Sequence, residues 1–196
     1  MKTLALLGTV TGIALFAGIR LYATVLTVGL CLRYGLLHLP PELASLSVLS
    51  HPYVLGAAGV CAVVEFLADK VPWVDSLWDA VHAFLRPAGA ALIAFAAVGR
   101  LDPAAEVAVI LLCGGVAFSS HSAKAGARLL VNQSPEPFSN LLLSLCEDVV
   151  TVGGSYAALA YPLAALAVVA VFLALFAIFA RRTWRRLRRV PARAGD

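Results

Sequence analysis

Long apolar stretches recur along the chain, each closed by a short polar or proline-containing break. A hydrocarbon core about 30 Å thick needs roughly 20 helical residues to cross it. Six stretches approach that length: about Leu4 to Leu32, Tyr53 to Ala68, Ala83 to Val98, Ala104 to Val131, Asn140 to Ala160 and Leu163 to Ala180. Only the last is uninterrupted; the first contains Gly12, Gly18 and Arg20, and the third is short. Pro40-Pro41, His51-Pro52, Asp102-Pro103, the run Asn132 to Pro137, and Pro162 punctuate the series. Ser139 is placed to cap the fifth helix. From Val74 to Leu85, acidic and aromatic residues alternate at helical spacing, which predicts a short amphipathic helix at the membrane interface. The pattern predicts an all-α integral membrane protein of about six transmembrane helices, with interrupted or re-entrant segments.

Composition agrees. Of 196 residues, 61% are hydrophobic and 13% charged, and mean hydropathy is +0.91. Soluble domains carry roughly 45–50% apolar and about 25% charged residues, so water-soluble folding would leave too much apolar area exposed. One transmembrane domain over residues 1–180 and a basic tail over 181–196 fill the chain. Lys2 ahead of an apolar stretch resembles a signal peptide, but the apolar character continues to Leu32, so a first transmembrane segment is the expectation.

The formal charge of +4 is concentrated at one end. The run from Arg181 to Arg189 and then Arg193 follow the last apolar stretch, with Trp184 among them. Such a cluster marks the cytoplasmic side. Its expected partners are anionic lipid headgroups rather than nucleic acid. Six passes would put both termini in the cytoplasm of a multi-pass cell-membrane protein. Lys70 and Arg86 would then lie on cytoplasmic connections, and Arg33 and Arg100 outside. Five passes or re-entrant hairpins are the alternative.

The chain carries a duplication signal. Ala17-Gly18-Ile19-Arg20-Leu21 reappears as Ala125-Gly126-Ala127-Arg128-Leu129. Each copy is followed by a proline-containing break and then by an acid-bearing segment, with Glu65 and Asp69 in one and Glu147 and Asp148 in the other. Two repeats of three helices, about 1–100 and 101–180, would enter the membrane in opposite orientations. Many transporters use that plan, with the site at the repeat interface near the midplane; channels and lipid-moving proteins use it too.

Charges within a membrane are expensive, about 2.5–3.5 kcal/mol each on insertion scales, so they face the bundle interior or a wet cavity. Glu65 and Asp69 share a helix face, and His121, Lys124 and Arg128 form a basic stripe flanked by serines. Arg20 is the counterpart of Arg128. The candidate site is Arg20, Glu65, Asp69, His121, Lys124, Arg128, Asn132, Asn140, Glu147 and Asp148. These groups can knit the bundle by pairing alone, or line a polar cavity. The basic stripe suits an anionic solute or a phosphate-bearing headgroup; the acids suit a cation or proton.

Asp75, Asp79 and His82 share a face on which a metal site could be drawn, but an interfacial helix or lid anchored by Trp73 and Trp78 accounts for them. Ser120, His121, Ser122 and Lys124 supply a nucleophile and a base without an oxyanion hole, so no catalytic residue is assigned. No cofactor motif occurs and no cofactor is expected. The four cysteines lie in apolar segments without CxxC spacing, as small buried hydrophobes do. Gly8 and Gly12 make a GxxxG spacing that would suit a homo-oligomer.

Four polar stretches resemble a bacterial membrane-protein family catalogued as domain of unknown function 4126. They are Gly18-Ile19-Arg20-Leu21-Tyr22, Val64 to Pro72 continued by Val74 to Asp79, His121 to Gly126, and Asn132 to Asn140. The resemblance spans about Thr9 to Ala160. At the first stretch the family more often has Asn-Pro-Tyr where this chain has Arg20-Leu21-Tyr22. The resemblance implies a membrane location and carries no activity with it. The expected function is a transporter or channel-like protein for a small charged solute or lipid headgroup; the alternative is a non-transporting scaffold or assembly factor.

Overall fold

The computed structural model describes residues 2–99, 101–131 and 137–188. The chain forms α1 (Lys2–Ile19), α2 (Leu21–Arg33), a 3-10 segment (Pro41–Ser50), α3 (Pro52–Ala68), α4 (Pro72–Val98), α5 (Pro103–Val131), α6 (Pro137–Ala160) and α7 (Pro162–Leu187). Proline opens every helix from α3 onward, where its missing N–H is one that no helix would use. Among the described residues, five helices are long and apolar enough to cross a membrane: α1, α4, α5, α6 and α7. The 3-10 segment with α3, bent by 64°, would be a sixth.

Two expectations change. The stretch from Val74 to Leu85 is not a separate interfacial helix. It is the first half of α4, a 27-residue helix that runs on through Pro87. Its acids face inward, with Asp75 and Asp79 buried, because their spacing continues in the buried stripe of Arg86, Ala90, Ile93 and Ala97. Arg86 therefore lies in the middle of a helix, fully buried, and not on a cytoplasmic connection.

The first apolar stretch is likewise not one span. Arg20 is extended, with φ −145° and ψ 98°, and the chain reverses there. The Phe16 ring lies against Gly154 of α6, while Thr24 meets Ser155, its neighbour, at 3.4 Å. After α2 the chain returns to its start, where Lys2 Nζ is 3.1 Å from a Glu42 carboxylate oxygen. α1 and α2 are thus a hairpin with Arg20 at its tip.

Neighbour pairs give the helix directions. α7 runs beside α1 in the same sense, with Pro162 at Gly8 and Ala165 at Gly12. α6 runs opposite, with Ala158 at Gly12 and Ser144 at Arg20. α4 and α5 are antiparallel, pairing Asp75 with Arg128, Arg86 with His121 and Ala91 with Gly114. Lys2 and the arginine-bearing end of α7 accordingly lie at opposite ends of the bundle. The expectation of both termini on one side rested on counting the first stretch as a full pass, and the hairpin removes that pass.

α1 is the central helix, 61% of its span buried, whereas only 6% of the α7 span is buried. Gly8 and Gly12 serve this packing, facing Pro162 and Leu166 of α7 and Ala158 and Ala165. The GxxxG spacing is consumed within the chain. Gly8→Val would drive a side chain into the Pro162 carbonyl, so we expect a loss of about 1–3 kcal/mol in detergent unfolding. Oligomeric state, followed by light scattering, should not move.

Candidate functional site

Among the described residues, the three largest fully buried side chains are arginines, Arg20, Arg86 and Arg128. Each comes from a different local structure: the hairpin tip, the middle of α4 and the last turns of α5. With Lys124 they meet six carboxylates in a continuous ion-pair network.

Arg128 is the most heavily bound. It grips Glu147 in a fork at 2.7 and 3.1 Å, and donates to Asp75 at 2.8 Å and Asp69 at 3.1 Å. Such planar two-point pairing is what a guanidinium does best. Arg20 pairs with the same Asp69, donates to Ser144 Oγ at 2.7 Å, and lies 3.0 Å from Asp148 and 3.5 Å from Glu147. The two arginines of the repeated motif thus converge on one pair of acids, Asp69 and Glu147.

Higher in the bundle, Arg86 holds Glu65 at 2.7 Å and Asp79 at 3.0 Å. It also donates to His121 Nδ1 at 2.6 Å. A guanidinium cannot accept, so that nitrogen carries the lone pair and the imidazole is neutral. Lys124 links the two parts loosely, 3.7 Å from Asp79 and 3.4 Å from Glu147, and donates to the Ile19 carbonyl at 3.3 Å. His82 stacks on Trp78, with Nδ1 2.8 Å from the Trp78 carbonyl and Nε2 3.1 Å from Tyr22 Oη.

The balance of charge is uneven. Arg20, Arg86, Lys124 and Arg128 face Glu65, Asp69, Asp75, Asp79, Glu147 and Asp148. Asp148 is about a third exposed, so five buried carboxylates face the four cations. An uncompensated negative charge in an apolar bundle is costly, which favours a proton or a cationic guest. Among the described residues, Glu65 Oε2, Arg86 Nε, Asp69 Oδ1 and Arg20 Nε are buried without a hydrogen-bond partner, so hydrogen bonding is incomplete at both ends of the network.

A cavity of about 360 Å³ opens beside the network between α4 and α5. Asp75, Asp79, His121 and Arg128 reach its wall, with Ala83 and Phe118 at its far side.

Eight of the expected site residues meet here: Arg20, Glu65, Asp69, His121, Lys124, Arg128, Glu147 and Asp148. Asn132 lies outside the described residues, and Asn140 falls in the first turn of α6 with its side chain outside them. Asp75, Asp79, Arg86 and Ser144 join the site without having been assigned to it. The signal for three of them was the spacing 75, 79, 82, 86, which keeps one helix face. The network runs from the turn after α3, at Asp69, to the middle of α4, at Arg86.

Fold and site together define a multi-pass helical membrane protein organised around buried ion pairs. Its sequence matches the family described as Domain of unknown function (DUF4126) over residues 7–182, and the chain belongs to that family. No curated protein and no solved structure matches it.

Proposed function

We propose that this protein is a transporter or channel-like protein that moves a small charged species through a polar site between two related halves. These run in the same sense rather than in opposite orientations, because α1 and α5 end together at Arg20 and Arg128. The observation that carries this reading is the cavity between α4 and α5, whose wall includes Asp75, Asp79, His121 and Arg128. α4 closes the first half and α5 opens the second, so the cavity lies on the seam between them. The duplication is supported by the convergence of Arg20 and Arg128 on Asp69 and Glu147. It is supported also by the packing of α1 on α7 and of α5 on α4, the exchange that two interlocked copies would make.

The acid excess favours a cation or proton over the anion that the basic stripe of α5 suggests in isolation. Every base of that stripe except neutral His121 is already held by a carboxylate. The arginines of α7 put the end of the bundle nearest the network in the cytoplasm by the positive-inside rule, with Lys2 on the far side.

The test is reconstitution into liposomes with a panel of cations, anions and fluorescent lipids, comparing Asp79→Asn and Lys124→Gln with the parent. Both residues sit in looser contacts than Arg128, so their variants separate function from folding. We expect proton or cation flux to fall at least tenfold in Asp79→Asn while the protein stays folded. A second reading, a scaffold held together by its charges, is favoured by the density of pairing around Arg128. Absence of any flux that depends on these side chains would establish it in place of transport.

A further inference from the structure

Below the bilayer-facing surface of α4 and α5, the cavity at Asp75 and Asp79 continues into a second one of about 530 Å³. The two share Ala83 and Phe118. The second is lined by apolar groups such as Phe84, Ile110 and Leu111, and by Gly115. Phe84 is 80% exposed and Leu111 70%, so the groove opens sideways toward lipid rather than along the bundle axis. From Asp79 to Ala91 it follows α4 for about 18 Å at 1.5 Å per residue, the length of a medium alkyl chain.

The groove thus carries Asp75 and Asp79 at one end, beside Arg128 and His121, and is apolar along its length. At the junction, Ala83 adds an acceptor. Pro87 stands four residues on within the same helix and has no N–H, so the Ala83 carbonyl lacks its α-helical donor. An acceptor beside two carboxylates, in a network with one more buried carboxylate than cations, is complementary to an ammonium group.

We infer that this groove binds a cationic amphiphile, an alkylammonium entering from the bilayer, with its head at Asp75 and Asp79 and its chain running toward Gly115. The inference rests on the transport reading above and names its substrate class. A soluble metal ion would leave the apolar groove unexplained, and an anionic amphiphile would bring its charge against the acids.

Gly115 supplies a clean test, because a Cβ there meets no atom within 4 Å. Gly115→Phe should fill the groove without disturbing the fold or any ion pair. The full chain in phosphatidylcholine nanodiscs would be labelled with a photoactivatable alkylamine and the adducts mapped by mass spectrometry. Labelling is expected on α4 and α5, displaced by excess dodecylamine but not by dodecanol or dodecyl sulfate. It should fall at least tenfold in both Gly115→Phe and Asp79→Asn. Displacement by phosphatidylethanolamine as well would identify a bilayer amine lipid as the source. Equal displacement by dodecyl sulfate, or labelling indifferent to Gly115→Phe, would overturn the inference. The two readings also fail separately. Asp79-dependent flux of protons or small cations without alkylamine labelling would leave transport standing and remove the amphiphile, whereas labelling without flux would do the reverse.

Discussion

Arg128→Gln should destabilise the protein by about 3–5 kcal/mol, the range found when one member of a buried ion pair is removed. The reason is the number of anions it serves. Asp69, Asp75 and Glu147 all lie within 3.1 Å of its guanidinium. Removing the cation leaves three carboxylates close together, with Arg20 and Lys124 reaching Glu147 only at 3.5 and 3.4 Å. Glutamine fills much of the volume, so the effect reports charge rather than a cavity. Unfolding by denaturing detergent, followed by circular dichroism, measures it. Adding Glu147→Gln should recover part of the loss, because Glu147 is the two-point partner, and the double-mutant cycle should show coupling of about 1–3 kcal/mol. A cost below 1 kcal/mol for the single variant would mean that the network is solvated and does not hold the bundle. That outcome would also remove the premise of an acid excess felt by a guest.

How far the sequence exposes this architecture depends on which physical signal carries each part. Helix starts were legible where proline marks them: Pro52, Pro103 and Pro162 each open an element, whereas α6 starts at Pro137, ahead of the expected cap at Ser139. The charged site was legible because an ion in an apolar segment is too expensive to be incidental. Arg20, Glu65, Asp69, Lys124 and Arg128 meet as that argument requires. What failed was any judgement that needed depth in the membrane. The acids of α4 have the spacing of an interfacial helix, and a run of aromatics beside them fits a headgroup layer equally well. Only the partner surface, Arg128 and Lys124 on α5, decides that they face inward. Proline in a helix interior normally breaks or kinks it, whereas α4 continues through Pro87.

The reversal at Arg20 was hidden for a different reason. Gly12, Gly18 and Arg20 signal an interruption, but the same signs accompany a kinked span and a hairpin. The distinction rests on contacts distant in sequence, Phe16 and Thr24 with adjacent residues of α6 and Lys2 with Glu42. No local pattern carries those. Once the hairpin is in place the ends of the chain separate, and the acid excess becomes countable because each cation's partners are known.

The repeated motif itself yields the sharpest contrast. Both copies read Ala-Gly-x-Arg-Leu, yet their glycines sit in opposite surroundings. A Cβ on Gly18 would collide with the Ala117 carbonyl and the Ser120 hydroxyl of α5. One on Gly126 would meet no atom within 4 Å. Gly18→Val should therefore cost about 3 kcal/mol, the upper end of overpacking penalties, because the obstacle includes backbone that cannot rotate away. Gly126→Ala, in a helix interior, should stabilise by about 0.5–1 kcal/mol through helix propensity alone. The consequence of the first reaches the site. α1 must withdraw from α5, carrying with it the Ile19 carbonyl that Lys124 holds and the Arg20 head that Asp69 and Ser144 hold. Activity in liposomes should fall with stability, although no charged residue has changed, and Gly126→Ala should leave flux intact. Equal effects at the two glycines would mean that the copies are packed alike and that the hairpin tip does not depend on close approach to α5. Unequal effects in the stated direction would tie the site to the point where the duplication is least symmetric. There one copy turns back to deliver Arg20, and the other stays helical to present Arg128 opposite it.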